Sequence, residues 1–240
     1  MAFKIFHIFL FSLLVSLAAH AQQSPPEKVI EADASEVYLH ALTSNASVFK
    51  GKAYEAYTFY IQGTPFFQSD EWLTGSVFYD STLYSGLSVK MELVKDAPVI
   101  FYQGLVFPIL LSPEKISWFK AGGHHFVRLV KTNGKNTVPE TGFYDLLYKG
   151  SMSVWVKREK ELKSEIHERQ VRYWFNEKNT CYIEKNGSFE RIRSQGKLLR
   201  VLSEKRKEVK AYLKKNNWSV RKDPELAILK AVRFFDQKEE

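Results

Sequence analysis

The sequence predicts an α+β protein: a predominantly antiparallel β-sheet, a meander able to curve into a half-barrel, followed by a helical C-terminus. Three observations predict it. Aromatic residues are abundant, with 18 Phe, 12 Tyr and 5 Trp in 240 residues, and large flat side chains suit a pleated surface. Short apolar runs recur at roughly 8–12-residue intervals between turn residues. From Ser194 onward the apolar spacing changes from two to between three and four, the helical period.

The sheet pattern is clearest at residues 75–100. Leu87, Val89, Met91 and Leu93 alternate with Ser88, Lys90 and Glu92, which predicts an antiparallel strand with one apolar and one solvated face. Asp80-Ser81-Thr82 and Lys95 to Pro98 read as turns, and Pro98, lacking an N–H, should lie outside any central strand. Val99–Tyr102, Leu105–Leu111, Ile116–Phe119 and His125–Val130 continue the meander, with turns at Gln103-Gly104 and Gly122-Gly123. Residues 142–159 read as a hairpin turning near Lys149-Gly150. The charged stretch Glu161–Gln170 reads as a loop or short helix. Val171–Phe175 and Thr180–Lys185 read as two strands joined through Asn176–Asn179, and Asn186-Gly187 as a type I′ turn before Phe189–Ile192. Upstream, Tyr54, Tyr57, Phe59, Tyr60, Phe66 and Phe67 crowd a segment interrupted by Gly63-Thr64-Pro65.

In the C-terminal part Ser194 is an N-cap candidate, and Leu198, Leu202, Val209, Tyr212 and Leu213 form a helical stripe with a break near Ser203. Asp223-Pro224-Glu225 combines a capping Asp, a first-turn Pro and an acidic residue at the helix start, and Ile228, Leu229, Val232 and Phe235 follow on one face. The expected organisation is a signal peptide at 1–21, a flexible lead-in at 22–30, a β-rich domain at 31–193 and a helical segment at 194–240 packed on the sheet.

The first 21 residues carry Lys4, an apolar run and a small-x-small site at Ala19-His20-Ala21, the composition of a secretory signal removed after Ala21. The expected location is the periplasm or the periplasmic or outer face of a cell envelope, with no transmembrane span after signal removal. There is one cysteine, Cys181, so no intramolecular disulfide can form; it reads as a small buried apolar residue. The formal net charge is +8, and it is uneven: residues 22–156 hold 11 Lys and Arg against 13 Asp and Glu, residues 157–240 hold 23 against 14. A basic C-terminal third suits a solvated helix face or an anionic partner such as a membrane surface, a glycan or an acidic protein. An exported protein seldom meets nucleic acid, and none is expected here.

Three stretches together resemble a known family: GTPFFQSDEWLTGSVFYDSTLYSG (63–86), GFYDLLYKG (142–150) and SQGKLLRVLSEKRKEVKAYLKKNNWSVRKDPELAILKAVRFFD (194–236). They are similar to exported proteins of unknown function from Bacteroidetes-type Gram-negative bacteria. The resemblance implies an envelope location and carries no activity. Where that family often has Asp and Gly in the tight turn, this chain has Asp80-Ser81.

Chemistry-bearing motifs are sparse. Gly122-Gly123-His124-His125 presents two histidines, but neighbours on a strand face opposite ways and zinc needs three or four ligands. No HxH, HExxH or CxxC accompanies them, so no metal is expected. There is no G-x-S-x-G elbow, no Walker A sequence and no strand-linked G-x-G-x-x-G. Asp70, Glu71, Asp80, Glu92, Asp96 and Asp145 are the acids from which a glycosidase pair would be drawn, and spacing selects none of them. No catalytic residue and no cofactor is assigned. The ligand-binding candidates are Trp72, Tyr79, Tyr84, His124 and His125. The anionic-surface candidates are Lys205, Arg206, Lys210 and Lys214, on a basic helix with an apolar stripe. The expected function is a non-enzymatic binding or structural protein of the envelope, with an envelope protein or an apolar ligand as partner. The alternatives are a carrier of an apolar ligand on a curved sheet and, further off, a secreted hydrolase.

Overall fold

Among the described residues eleven strands form one sheet, and their order explains its curl. A computed structural model describes residues 46–102, 105–133 and 138–237. The expected signal peptide, the expected lead-in, the expected turn at Gln103-Gly104 and the last three residues lie outside them. The strands are β1 (Lys52–Ala53), β2 (Leu73–Tyr79), β3 (Thr82–Glu92), β4 (Ala97–Phe101), β5 (Ile109–Leu110), β6 (Ile116–Ala121), β7 (His124–Leu129), β8 (Gly142–Lys149), β9 (Ser153–His167), β10 (Gln170–Lys185) and β11 (Ser188–Arg191). The order is β1-β5-β4-β3-β2-β6-β7-β8-β9-β10-β11, every pairing between these strands is antiparallel, and among the described residues β1 and β11 are the edges. The sheet is therefore open. In a flat sheet β3 and β9, five spacings apart, would be separated by about 24 Å. Instead the Lys160 N–H of β9 donates to Leu93 O at the end of β3 at 3.3 Å, so the sheet curls strongly at that end.

The alternation in β3 buries Leu87, Val89, Met91 and Leu93 as expected, but its polar face is not solvated: Lys90 and Glu92 are buried as well. Residues 54–72 run over this end of the sheet and cover them. Pro65 O accepts from Leu93 N, Phe67 N donates to Met91 O, and Gln62 exchanges backbone hydrogen bonds with Tyr173 and Phe175 of β10. The aromatic crowding of this segment thus forms a strap: Tyr57 and Phe59 pack on Phe175 and Tyr173 of β10, and Tyr54 packs on Phe66 within the strap.

Three sequence expectations are corrected. Pro98 lies inside β4, opposite Met91; its carbonyl accepts from Leu111 N, so its missing N–H points to the β5 side, where β5 is only two residues long and one lost donor is tolerated. Leu105–Leu111 contributes only the short β5. Glu161–His167 is strand and not loop or helix, only Glu168-Arg169 turns, and Asn176–Asn179 continues the strand that Val171–Phe175 begins: β9 and β10 form one hairpin paired from Ser153–Glu184 to His167–Gln170. Its distal half has no neighbouring strand of the sheet; the strap covers Tyr173 and Phe175, and cross-strand polar pairs line much of the rest, Glu165 opposite Arg172 and Glu159 opposite Lys178. The tight turn between β2 and β3 places Asp80 and Ser81 at φ 49° and 63°, so both non-glycine residues adopt the left-handed conformation that the usual Asp-Gly would take.

The helices are α1 (Gln195–Val201), α2 (Arg206–Lys215) and α3 (Pro224–Asp236), with a 3-10 turn at Ser203–Lys205 between α1 and α2. Ser194 and Asp223 cap α1 and α3, accepting from Lys197 N and Leu226 N. Leu198, Leu199, Leu202, Val209, Leu213, Ala227, Ile228, Ala231 and Val232 form one core with Met152, Val154, Val156, Cys181 and Ile183 of β9, β10 and the turn before β9. Each fully buried Leu, Ile or Val adds about 1.5–3 kcal/mol, and this apolar contact holds the helical segment on the sheet. The stripe of α3 is rotated from the expected one: Ala227 and Ala231 lie at its centre, while Leu229 and Phe235 are half-buried, because the small alanines let the helix approach the strands. The opposite face of the sheet carries a smaller cluster of Val138, Tyr144, Trp155 and Tyr182. Among the described residues no helix is long and apolar enough to cross a membrane, and Cys181 is a buried free thiol whose pKa burial pushes up to about 12.

Candidate functional site

Two groups of charges stand out, one buried and one at the surface. The buried group is built by register. Phe126 of β7 pairs with Asp145 of β8, and Asp145 with Val156 of β9, so Asp145, His124 and Arg158 share the sheet face on which the helices pack. His124 Nδ1 lies 2.8 Å from Asp145 Oδ2, and the Arg158 Nε donates to the same oxygen at 2.8 Å. The other edge of the guanidinium donates to both carboxylate oxygens of Glu225, at 3.0 and 2.9 Å. Phe67 of the strap covers the guanidinium at 4.7 Å, and Gln68 reaches His124 Nε2 at 3.3 Å. Burial works against the charge of Arg158, but the two carboxylates outweigh it and raise its pKa. Arg158 therefore ties the first turn of α3 to the sheet, while at the far end of α3 Asp236 accepts from Ser151. Asp145 Oδ1 has no hydrogen-bond partner.

The neighbouring interior cations are likewise engaged. Lys160 donates to Thr64 O and Phe66 O of the strap at 2.9 and 2.6 Å, and burial lowers its pKa. Lys157 donates to Asp96 at 2.6 Å beside Gly142, where the two side chains leave no room for a β-carbon. Lys90 donates to Asp70 at 2.6 Å and lies over Trp72 at 4.5 Å.

The surface group arises from the helix connections. α2 ends in a Schellman arrangement: Asn217 takes φ 56°, its N–H donates to Lys214 O, and the Trp218 N–H donates to Leu213 O. This turn sets Trp218 against the helical core, its ring edge-on to Tyr212 at 5.5 Å. The Val220 N–H then donates to Gln195 Oε1 at 3.2 Å, which draws the α2–α3 connection onto the start of α1. Between them opens a pocket of about 550 Å³ lined by Arg193, Ser194, Gln195, Lys210, Lys214, Trp218, Ser219 and Arg221. Lys210 and Lys214 are one helical turn apart on α2 and share a face. No carboxylate lines this pocket. Among the described residues, Arg193, Lys210, Lys214 and Arg221 have no ion-pair partner.

The residues singled out in the sequence are dispersed. Lys210 and Lys214 enter the pocket; Lys205 instead bonds Gln237 O at 2.9 Å, and Arg206 is exposed at the start of α2. His124 joins the Asp145 cluster, whereas His125, on the opposite face of β7, packs edge-on to Trp118, and burial, then Lys120, lowers its pKa. Tyr79 is buried and Tyr84 meets Ser47 through its hydroxyl at 3.1 Å. Trp72 tilts against Phe101. The candidates Trp72, Tyr79, Tyr84, His124 and His125 do not form one site. Among the described residues no group of three or more His, Cys, Asp or Glu could hold a metal ion. The sequence reading missed Arg193, Arg221, Trp218 and the Arg158 cluster. A helical-wheel pairing of Lys210 with Lys214 was the available signal; Arg193 and Arg221 reach the pocket only through tertiary packing.

The chain matches no protein-family model, no curated protein and no solved structure. Any reading of the site rests on these residues alone.

Proposed function

We propose that this is an exported, non-enzymatic binding protein of the cell envelope, and that it takes an anionic ligand in the pocket between α1, α2 and the α2–α3 connection. The observation that carries the reading is four cations without counter-ions around one concavity that no carboxylate lines. Like charges brought together repel, and the repulsion is relieved when an anion enters. The sheet supplies a scaffold for this site: α1, α2 and α3 pack on it through one core, so the cations are held in place by rigid elements. The export signal at residues 1–21 and the similarity of three stretches to exported proteins support the envelope setting. N-terminal sequencing of protein recovered from an envelope fraction should then begin at Gln22.

The test of the binding reading is affinity for dextran sulfate, a sulfated polymer, with uncharged dextran as control. The mature chain is expected to bind the sulfated polymer with an affinity that falls as salt rises, since exposed charges are screened over about 8–10 Å at physiological salt. The double variant Lys210→Glu, Lys214→Glu should lose at least tenfold, while Lys205→Glu, outside the pocket, should change binding much less. Equal losses in the two variants would overturn the assignment to this pocket.

A further inference from the structure

The pocket holds four cations, and its neutral polar groups also share one bias. Ser194 Oγ accepts from Lys197 N at 3.2 Å, Ser219 Oγ accepts from Lys222 N at 3.3 Å, and Gln195 Oε1 accepts from Val220 N at 3.2 Å. Each backbone N–H thus occupies an acceptor site of a lining side chain. Each hydroxyl keeps its proton and one lone pair, and Gln195 keeps two amide N–H donors and one lone pair on its oxygen. Lys210, Lys214, Arg193 and Arg221 are donors without acceptor capacity. The bond from Val220 also fixes the orientation of the Gln195 amide, since only its oxygen can receive that N–H. Donors therefore far outnumber free acceptors among the side chains that line this pocket.

A donor-rich lining discriminates by proton count. An oxyanion that carries no proton presents acceptors in every direction and can satisfy all of these groups. A ligand that must itself donate meets donors, and a polar group left unpaired against them lowers affinity. We propose that the pocket selects a tetrahedral oxyanion without a proton: a sulfate ester, or the dianion of a phosphate monoester. This rests on the reading of the pocket as an anion site and names the chemistry it prefers. Two sources share that chemistry, and pH separates them. A phosphate monoester takes up a proton near pH 6, a sulfate ester stays ionised throughout, and Arg and Lys side chains at a surface keep their charge over the same range.

The experiment is calorimetric titration of the mature chain with glucose 6-sulfate, glucose 6-phosphate, glucuronate and glucose, at pH 5.0, 6.0 and 7.5. At pH 7.5 both esters are expected to bind at least tenfold more tightly than glucuronate, whose planar carboxylate offers fewer acceptor directions, and glucose should not bind. Between pH 7.5 and 5.0 the phosphate ester should lose roughly tenfold, following its dianion fraction, and the sulfate ester less than twofold. The variant Gln195→Glu keeps an acceptor for Val220 N but places a carboxylate where the amide donor was. It is expected to retain the wild-type melting temperature and to lose about tenfold for both esters, the effect of one charge-assisted hydrogen bond. Glucuronate binding as tightly as the esters, or a phosphate ester insensitive to pH, overturns the oxyanion selectivity and leaves the anion pocket standing. Failure of all three anions together with dextran sulfate overturns both.

Discussion

The interior and the pocket treat positive charge in opposite ways. Arg158, Lys157, Lys160 and Lys90 are buried, and each is bound by carboxylates or carbonyls at 2.6–3.0 Å. Arg193, Lys210, Lys214 and Arg221 are exposed, close together and without acidic partners. A charge withdrawn from water needs its partners in place, because its desolvation cost otherwise exceeds what the fold can supply. A charge left in water needs none, so clustering it without partners serves no folding purpose. The contrast teaches where to look for function: the more elaborate constellation, His124–Asp145–Arg158–Glu225, has the marks of a clamp, and the plainer one has the marks of a binding site.

The comparison breaks most readily at Arg158. Arg158→Ala leaves Asp145 and Glu225 facing each other across a buried gap, and removing one member of a buried network costs about 3–5 kcal/mol. For a chain of this size that corresponds to a fall in melting temperature of roughly 6–20 °C, measurable by circular dichroism. α3 should loosen first, seen as faster amide exchange across residues 224–236. A fall of less than 2 °C would mean that the guanidinium is not a clamp and would return the cluster to consideration as a site.

How much of this was legible beforehand follows from the range of each signal. The antiparallel sheet, the turns at Gly122-Gly123 and Asn186-Gly187 and the caps at Ser194 and Asp223 were readable, because each depends on residues a few positions apart. The β9–β10 arm was readable only in part: Val171–Phe175 and Thr180–Lys185 read as strands, whereas Glu161–His167 and Asn176–Asn179 are mostly polar and carry no apolar alternation to show their pairing. The covered polar face of β3 was not readable: that Lys90 and Glu92 are buried depends on a strap that lies upstream, beyond β2. In the pocket, Lys210 and Lys214 share a helix face and could be found, whereas Arg193, Trp218 and Arg221 converge only because Asn217 turns the chain and Val220 bonds Gln195.

Glu92 offers a smaller test, because it is the buried charge least well served. It is 0 % exposed, Oε1 accepts from Val94 N at 3.2 Å, Oε2 has no hydrogen-bond partner, and Lys95 Nζ stays 4.0 Å away. Burial raises its pKa above 4.5, against the pull of Lys95. An acid whose pKa is raised by folding binds more protons when folded. Its contribution to stability is therefore full below its unfolded value and is lost as pH rises through the folded one. Glu92→Gln, neutral at every pH, should melt above the wild type at pH 8, and the gap should close as pH falls below about 4.5. A wild type that melts higher at pH 8 would show that Lys95 serves Glu92 as fully as Asp145 serves Arg158.

The smallest expected effect is the most discriminating. If the pocket cations are placed for a ligand, their reversal should leave the fold alone. The Lys210→Glu, Lys214→Glu variant should unfold in urea within about 0.5 kcal/mol of the wild type, the usual range for exposed substitutions. A small gain is the more natural direction, since two negative charges among Arg193 and Arg221 convert repulsion into attraction. That gain would itself be informative. It would mean that the native chain accepts electrostatic strain on this face, as a waiting anion site requires. A loss of more than about 1 kcal/mol would instead place Lys210 and Lys214 among the structural charges, and the distinction between the two regions would fall.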